Sequence, residues 1–185
     1  MIKRFHRMLE HLHVGCEAPR AYFVPFESAE KAALPRENSA LLTLLDGEWD
    51  FAFFKNVEEL DIEAEGFSSS VVCPDKMTVP FCWQMKLDSG YDVPNYINQD
   101  YPYPVDPPHL PDVIPCGFYR RKVDFTKAEG KKYFINFEGV APCFYLWVNG
   151  AFVGYSQVSH NTSELEITNK LVNGENTIEV LVVKW

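Results

Sequence analysis

The chain lacks what nucleic-acid binding, membrane insertion or a sequence-encoded metal site would require. Seventeen basic residues against twenty-six acidic ones leave a net charge of −9. Phosphate recognition draws on clustered Lys and Arg, which this balance does not supply. No stretch approaches the roughly 20 apolar residues of a membrane-spanning helix. The basic opening MIKRFHRMLEHLHVG leads into neither an apolar run nor a small-residue cleavage site, and its Lys3, Arg4 and Arg7 read as a solvated face. The five cysteines, Cys16, Cys73, Cys82, Cys116 and Cys143, are odd in number and show no CxxC spacing. That argues against zinc-knuckle and dithiol chemistry and for buried or partly buried thiols in a reducing compartment, so the expected location is cytoplasmic. His6, His11 and His13 fit neither a helix face nor HExxH spacing. No internal repeat is present.

What the chain does have is apolar and aromatic content: 46% hydrophobic and 15% aromatic over 185 residues, enough for one large core without metals or disulfides. Residues 1–44 read as an N-terminal arm, with an extended aromatic piece at Ala18–Phe26 and one or two helical turns over Ser28–Leu34 that Pro35 stops. From residue 45 onward the pattern is strand after strand. Candidates are Glu48–Phe54, short extended pieces at Ser69–Cys73 and Lys76–Val79, and then Gly117–Phe125. Lys132–Phe137 follows, with Tyr133, Ile135 and Phe137 on one face. Cys143–Val148 and Phe152–Tyr155 flank Asn149-Gly150, the strongest local hairpin signal because a type I′ turn needs positive φ at both central residues. Leu165–Ile167 is short. Thr177–Trp185 alternates so that Ile178, Val180 and Val182 face one way and Leu181, Val183 and Trp185 the other. Val57–Leu60 reads as a helical turn. Many short strands without βαβ spacing predict an all-β antiparallel sandwich or jelly roll. The last strand stops without a turn or polar tail, which predicts a fragment of something longer and an uncovered sheet edge that invites pairing between copies.

Between these strands lies Tyr91–Arg121, which holds Pro94, Pro102, Pro104, Pro107, Pro108, Pro111 and Pro115 out of thirteen prolines in all. Fixed φ and missing N–H donors exclude a helix interior or a central strand. Its tyrosines and aliphatics are too apolar for a free linker. It reads as a rigid irregular loop laid on the folded body, the kind of surface that carries recognition.

Several of these stretches together resemble one family. PRAYFVPF (Pro19–Phe26), LDGEWDF (Leu45–Phe51), VPFCWQ (Val79–Gln84), GYDVPNYINQDYPYPVDPP (Gly90–Pro108), GFYRR (Gly117–Arg121), FEGV (Phe137–Val140) and FYLWVNGAFVGYSQ (Phe144–Gln157) are similar, in this order, to the N-terminal sugar-binding domain of bacterial beta-galactosidases of glycoside hydrolase family 2. The resemblance implies a jelly-roll β-sandwich of the galactose-binding type, over residues 45–185, at the front of a multidomain enzyme. It implies retaining hydrolysis of terminal β-D-galactosides such as lactose by two carboxylates on a later (β/α)8 barrel, so this chain would carry no catalytic residue. It also implies that the asparagine of a Tyr-x-Asn-x-x-Tyr-Pro motif, here Asn98, touches the galactosyl pocket; an amide can donate to and accept from sugar hydroxyls. The family's magnesium and sodium ligands lie on later domains, and this chain would hold no cofactor. These motifs and VDPP favour a galactosidase over the related beta-glucuronidases and beta-mannosidases.

Around Asn98, the rings of Tyr96, Tyr101 and Tyr103 are expected to anchor the loop, with stacking on a pyranose as the other reading. Asp100 and Asp106 brace the loop or meet the barrel, and neither is expected to do acid–base chemistry. Trp83 and Trp147 read as core. Arg120 and Arg121 point to opposite faces, one paired with a carboxylate and the other solvated, while Glu138 of FEGV reads as a brace. The expected partners are a galactoside in the full-length enzyme, the barrel domain of the same polypeptide and a homo-oligomer. Two rival functions stay open: an autonomous carbohydrate-binding module, and a structural or oligomerisation domain.

Overall fold

A computed structural model describes residues 2–185. Nine strands follow one another: β1 (His13–Val14), β2 (Gly47–Phe54), β3 (Asp75–Val79), β4 (Cys116–Phe125), β5 (Phe134–Phe137), β6 (Cys143–Val148), β7 (Ala151–Gln157), β8 (Ser163–Glu166) and β9 (Gly174–Val183). Seven form one antiparallel sheet in the order β1-β7-β6-β9-β4-β2-β3, and β5 pairs with β8 in a second, two-stranded layer. The result is the all-β sandwich that the strand pattern predicts.

Alternation along the central strands explains the two cores. In β9, Leu181 and Val183 join Phe118, Tyr145, Trp147 and Tyr155 on one face, while Ile178 and Val180 join Phe51, Tyr119, Phe144 and Leu146 on the other. The first face is roofed by Phe5, Val57, Ile62 and Phe67, and the second by Ile135 and Leu165 of the β5–β8 layer. All six residues of β6 are buried, as a strand covered on both sides should be. Asn149 and Gly150 turn β6 into β7 with φ of 53° and 73°, the left-handed pair that the Asn-Gly signal requires. Ile135 is buried while Phe134 beside it is exposed, in line with the alternation read from Lys132–Phe137.

Three local readings change. The Ser69–Cys73 piece is not a strand: Phe67–Ser70 forms a helical turn, entered through left-handed Gly66 and held because Arg120 Nη2 and Nη1 donate to the carbonyls of Ser68 (2.6 Å) and Val71 (2.9 Å). The Ser28–Leu34 reading holds: a 3-10 turn at Lys31–Ala33 ends at an extended Leu34, as a residue before proline favours, and a second 3-10 turn at Arg36–Asn38 follows Pro35. The last strand is no sheet edge. β9 lies between β4 and β6, paired on both sides, so the outer strands are β1 and β3 and the basis for the edge-pairing expectation is removed. Among the cysteines, Cys116 and Cys143 are buried and Cys16 and Cys73 partly so, but Cys82 is exposed.

The start of the chain is bound into the body. β1 adds to β7 through His13–Ser156 and Val14–Tyr155, a close approach that Gly154 permits, since any Cβ there would strike the Val14 carbonyl. Lys3, Arg4 and Arg7 do not form a uniformly solvated face, for Arg4 and Arg7 both pair with Glu58, at 3.1 and 2.7 Å. Between them His6 is buried. Its backbone N–H donates to Tyr145 Oη at 3.1 Å, and Oη lies 2.7 Å from His6 Nδ1. Burial, reinforced by Arg7 and Arg4 and opposed by Glu58, depresses the His6 pKa to about 4.

That depression fixes the sign of a pH effect. Between 6.5 and about 4 the unfolded chain binds a proton that the folded chain refuses, so His6 lowers stability as pH falls through this window, by up to about 3 kcal/mol. Urea unfolding at pH 7 and pH 4.5 is expected to show this loss, and His6→Gln is expected to remove most of it. An unchanged pH profile in the variant would contradict the assignment.

Candidate functional site

The proline-rich segment is pinned at three places. At its start, Tyr91 packs on Phe51 and Phe53, with ring centroids 5.4 and 5.3 Å away, and donates its hydroxyl to Asp75 Oδ2 at 2.6 Å. Burial, and then donation to the Asp75 carboxylate, push the Tyr91 pKa up to about 12. One residue on, Asp92 accepts from the buried Lys184 ammonium, which also reaches the Val93 carbonyl at 3.4 Å. In the middle, the Tyr103 ring meets Trp185 edge-on at 4.9 Å and Tyr101 at 5.6 Å. At its end, Asn56 donates to the Asp112 carbonyl at 3.0 Å and accepts from Ile114 N–H at 3.2 Å. Val57 N–H then donates to the Ile114 carbonyl at 2.7 Å, which delivers the chain into β4.

Between these pins the segment stands clear of the sandwich. Residues 93–102 are exposed throughout, with Ile97–Gln99 in a turn and Tyr96 77% exposed. Asn98 sits at the centre of that turn, and among the described residues its side chain has no hydrogen-bond partner. It does not cap its own backbone; the amide that does so is Asn95, which donates to the Val93 carbonyl at 3.1 Å. Asp100 is exposed beside it. The Asp106 carbonyl accepts from His109 N–H at 2.8 Å, tightening the bend before the exposed Val113. The structure therefore separates the motif: Tyr103 packs on Trp185 with Tyr101 against it, while Tyr96, Asn98 and Asp100 are exposed.

The remaining sequence candidates lie elsewhere. Trp147 and Trp83 are buried at 1% and 4% exposure. Arg120 pairs with Glu179 at 2.9 Å, but Arg121 is not simply solvated: its Nη1 donates to the carbonyls of Leu45 and Asp46 at 2.6 and 2.7 Å. Glu138 accepts from the Tyr22 hydroxyl at 2.8 Å and from Arg36, so it braces residues 22–36 against the β5 end. His6, His11 and His13 do not converge: His6 meets Tyr145, His13 lies 2.9 Å from Ser156 Oγ, and no metal-ligand cluster exists among the described residues. No helix among the described residues is long and apolar enough to cross a membrane.

The sequence reading missed Lys184 and Asn56. Lys184 shares the parity of Ile178, Val180 and Val182, and a charge at a core-facing strand position signals a buried partner. Asn56 precedes Val-Glu-Glu, a helix N-cap pattern, and its side chain does accept from Glu58 N–H at 3.2 Å.

Comparison with known proteins identifies the family and agrees with the fold. Residues 42–185 match the family described as glycosyl hydrolases family 2, sugar binding domain, and the chain belongs to that family. It is 41% identical over 175 residues to a beta-galactosidase of Actinobacillus pleuropneumoniae, covering 94% of this chain and 17% of that protein. To a beta-galactosidase of Staphylococcus xylosus it is 39% identical, covering 99% of this chain and 18% of the relative. The chain thus spans under a fifth of the length of these relatives. Among solved structures, the Faecalibacterium prausnitzii beta-glucuronidase superposes with a TM-score of 0.56 at 18% identity over 76% of this chain and 20% of its own. The Bifidobacterium dentium beta-glucuronidase complexed with coumarin-3-O-glucuronide gives 0.54 at 20% identity, covering 75% and 19%. At that identity the likeness is one of fold alone.

The Lys184–Asp92 pair makes its own prediction. Replacing Lys184 by Met leaves the partly buried Asp92 carboxylate without its cation, an imbalance that costs about 3 kcal/mol when a buried pair is broken. Smaller backbone heteronuclear NOEs are expected at residues 92–103, with Lys184→Met/Asp92→Asn recovering part of the loss. Unchanged NOEs in the single variant would show that Tyr91 and Tyr103 suffice as anchors.

Proposed function

We propose that this chain is the non-catalytic N-terminal domain of a beta-galactosidase, and that its proline-rich segment contributes Asn98 to a galactosyl pocket completed by a later (β/α)8 barrel. The observation that carries this reading is the exposed Asn98 amide on a segment anchored on both sides. Its oxygen and nitrogen are free for a ligand, and the prolines have already removed much of the segment's conformational freedom. The curated relatives are beta-galactosidases. For the full-length polypeptide the corresponding reaction is retaining hydrolysis of terminal β-D-galactosides, with one carboxylate protonating the leaving oxygen and a second forming the glycosyl-enzyme intermediate. The role proposed for this chain is orientation: Asn98 donates to one sugar hydroxyl and accepts from another, and Tyr96 offers the open ring face beside it. Magnesium and sodium, where they are used, are assigned to residues of later domains. The location proposed is cytoplasmic.

A second reading, an autonomous carbohydrate-binding module, draws on the same anchoring, since the segment is held in place by this chain's own contacts. One comparison separates the two. In the full-length enzyme, Asn98→Ala is expected to lower kcat/KM for lactose about tenfold to a hundredfold, the worth of one or two hydrogen bonds to a polar substrate. The 185-residue chain alone is expected to hydrolyse no nitrophenyl galactoside and to show no saturable galactose-induced amide shifts at residues 96–103. Saturable shifts there would establish the autonomous module instead. An Asn98→Ala enzyme with unaltered kinetics would remove Asn98 from the pocket.

A further inference from the structure

The smaller layer of the sandwich leaves one strand edge without a partner. Between β5 and β8 the Ile167 N–H donates to the Tyr133 carbonyl at 2.8 Å, and the register carries the same bonding parity to Ile135 and Phe137. The N–H and carbonyl groups of Phe134 and Asn136 therefore point away from β8, toward an edge that nothing pairs with among the described residues. The other edges are shorter or closed. Glu17 N–H donates to the Glu164 carbonyl on the far side of β8 at 2.8 Å. On β3 the Lys86 ammonium caps the Lys76 carbonyl at 3.0 Å, and β1 is only two residues long. On β5 itself Phe134 is 42% exposed, and the flanking Lys131, Lys132 and Glu138 are exposed as well.

An unpaired edge is a template for another strand, and the residues along this one complement themselves. In KKYFINFE, Lys131–Glu138, the cations stand at one end and the anion at the other. Consider β5 antiparallel to the β5 of a second copy, about a twofold axis at Ile135. Phe134 then lies opposite Asn136, so the outward N–H and carbonyl groups of each meet those of the other. The same register sets Tyr133 opposite Phe137 on the core-facing side, an aromatic cross-strand pair, and Lys132 opposite Glu138 on the other side, a pair of opposite charge. The twofold axis repeats each pair, as an isologous contact requires. Moving the axis to Phe134 or Asn136 keeps backbone bonding but puts Lys132 opposite Asn136 or Val140, and the charge pairing is lost.

We propose that the open edge of β5 is a self-association surface, where a second copy of this chain adds its own β5 antiparallel, in register about Ile135, to form one continuous layer β8-β5-β5-β8. Lys132 already pairs with Glu166 at 2.9 Å, and Glu138 accepts from Tyr22 and Arg36. These are exposed pairs, so the second copy's charges extend them into a network without uncovering a buried group. The contact is short and each copy carries a net charge of −9, which sets the association in the weak class, with a Kd on the order of 1 mM.

The test is an amide-resolved NMR dilution series of the 185-residue chain, with sedimentation equilibrium to read the mass. Concentration-dependent shifts are expected at residues 132–138 between about 0.05 and 2 mM, the range that a Kd on the order of 1 mM requires. Lys132→Glu and Glu138→Lys each set like charges across the pair and are expected to weaken association at least about fivefold. An equimolar mixture of the two variants restores opposite charges in the mixed dimer and is expected to associate within about twofold of the original chain. A sample mixing labelled and unlabelled chains is expected to show an intermolecular NOE between the Ile135 α-protons, which face each other at a non-hydrogen-bonded position. That contact is read on the unaltered chain and decides the matter if a variant fails to fold. The proposal is overturned by spectra that do not change with concentration, by shifts that map to another surface, by single variants that associate as the original does, or by a mixture no tighter than either variant alone.

Discussion

The structure depends most on where β9 sits. A ten-residue strand paired over its whole length with β4 on one side, and over Ile178–Val183 with β6 on the other, has no solvated edge along that second part. Both of its faces are buried, so it belongs to both hydrophobic clusters at once. Such a strand tolerates a charge only where a partner is waiting. Glu179, 1% exposed, lies opposite Arg120 in the β4 register and accepts from its Nε, and Arg120 also donates to the Ser68 and Val71 carbonyls. One guanidinium thereby holds the central strand and the helical turn that roofs the first core. A buried pair of this kind adds little net stability compared with apolar residues of the same size, and its removal from one side is costly. Its consequence is a fixed register for the roof.

Continuing along the same strand reaches the proline-rich segment. Lys184 and Trp185 follow directly after β9, and they supply the ammonium for Asp92 and the ring for Tyr103. The segment is thus fastened to the most constrained strand in the molecule as well as to β2, through Tyr91 on Phe51 and Phe53. Rigidity at Asn98 comes from these foundations and from the prolines, with no secondary structure of its own. The N-terminal residues follow a different logic. Phe5 is buried in a core, whereas residues 20–36 are fastened through Arg20–Glu164 and Arg36–Glu138, both with substantially exposed arginines. Exposed ion pairs contribute little and are screened by salt, so the two stretches of the arm differ in how firmly they are held.

The legible parts of the sequence were those governed by local rules. Period-two alternation in β9, the Asn149-Gly150 turn and the prolines of residues 94–115 each specify conformation within a few residues. The illegible parts were those decided at long range. Nothing in SSSVV says that Arg120, some fifty residues on, will claim the carbonyls of Ser68 and Val71 and set a helical turn there. Nor does the alternation of β9 state whether the strand is central or at an edge, because burial of both faces is compatible with either until its neighbours are known. For the candidate site, family motifs single out Asn98, but Lys184 and Asn56, which hold its segment, stand outside those motifs and emerge only when their partners are seen.

The separation within the tyrosine motif bears on what such a segment can do. Stacking on a sugar and anchoring a loop both require the face or edge of a ring, and one ring cannot give the same surface to both. Tyr103 has given its surface to Trp185 and Tyr101, while Tyr96 has kept almost all of its own. Asn98, two residues from the open ring, is in the same position with respect to hydrogen bonds, since no protein group competes for its amide. A ligand meeting these two side chains would face little reorganisation cost, because the prolines and the three anchors have already restricted the backbone that carries them. The division of labour is therefore physical before it is functional: the residues nearest the sandwich are consumed in holding the segment, and that leaves the outermost ones free to bind.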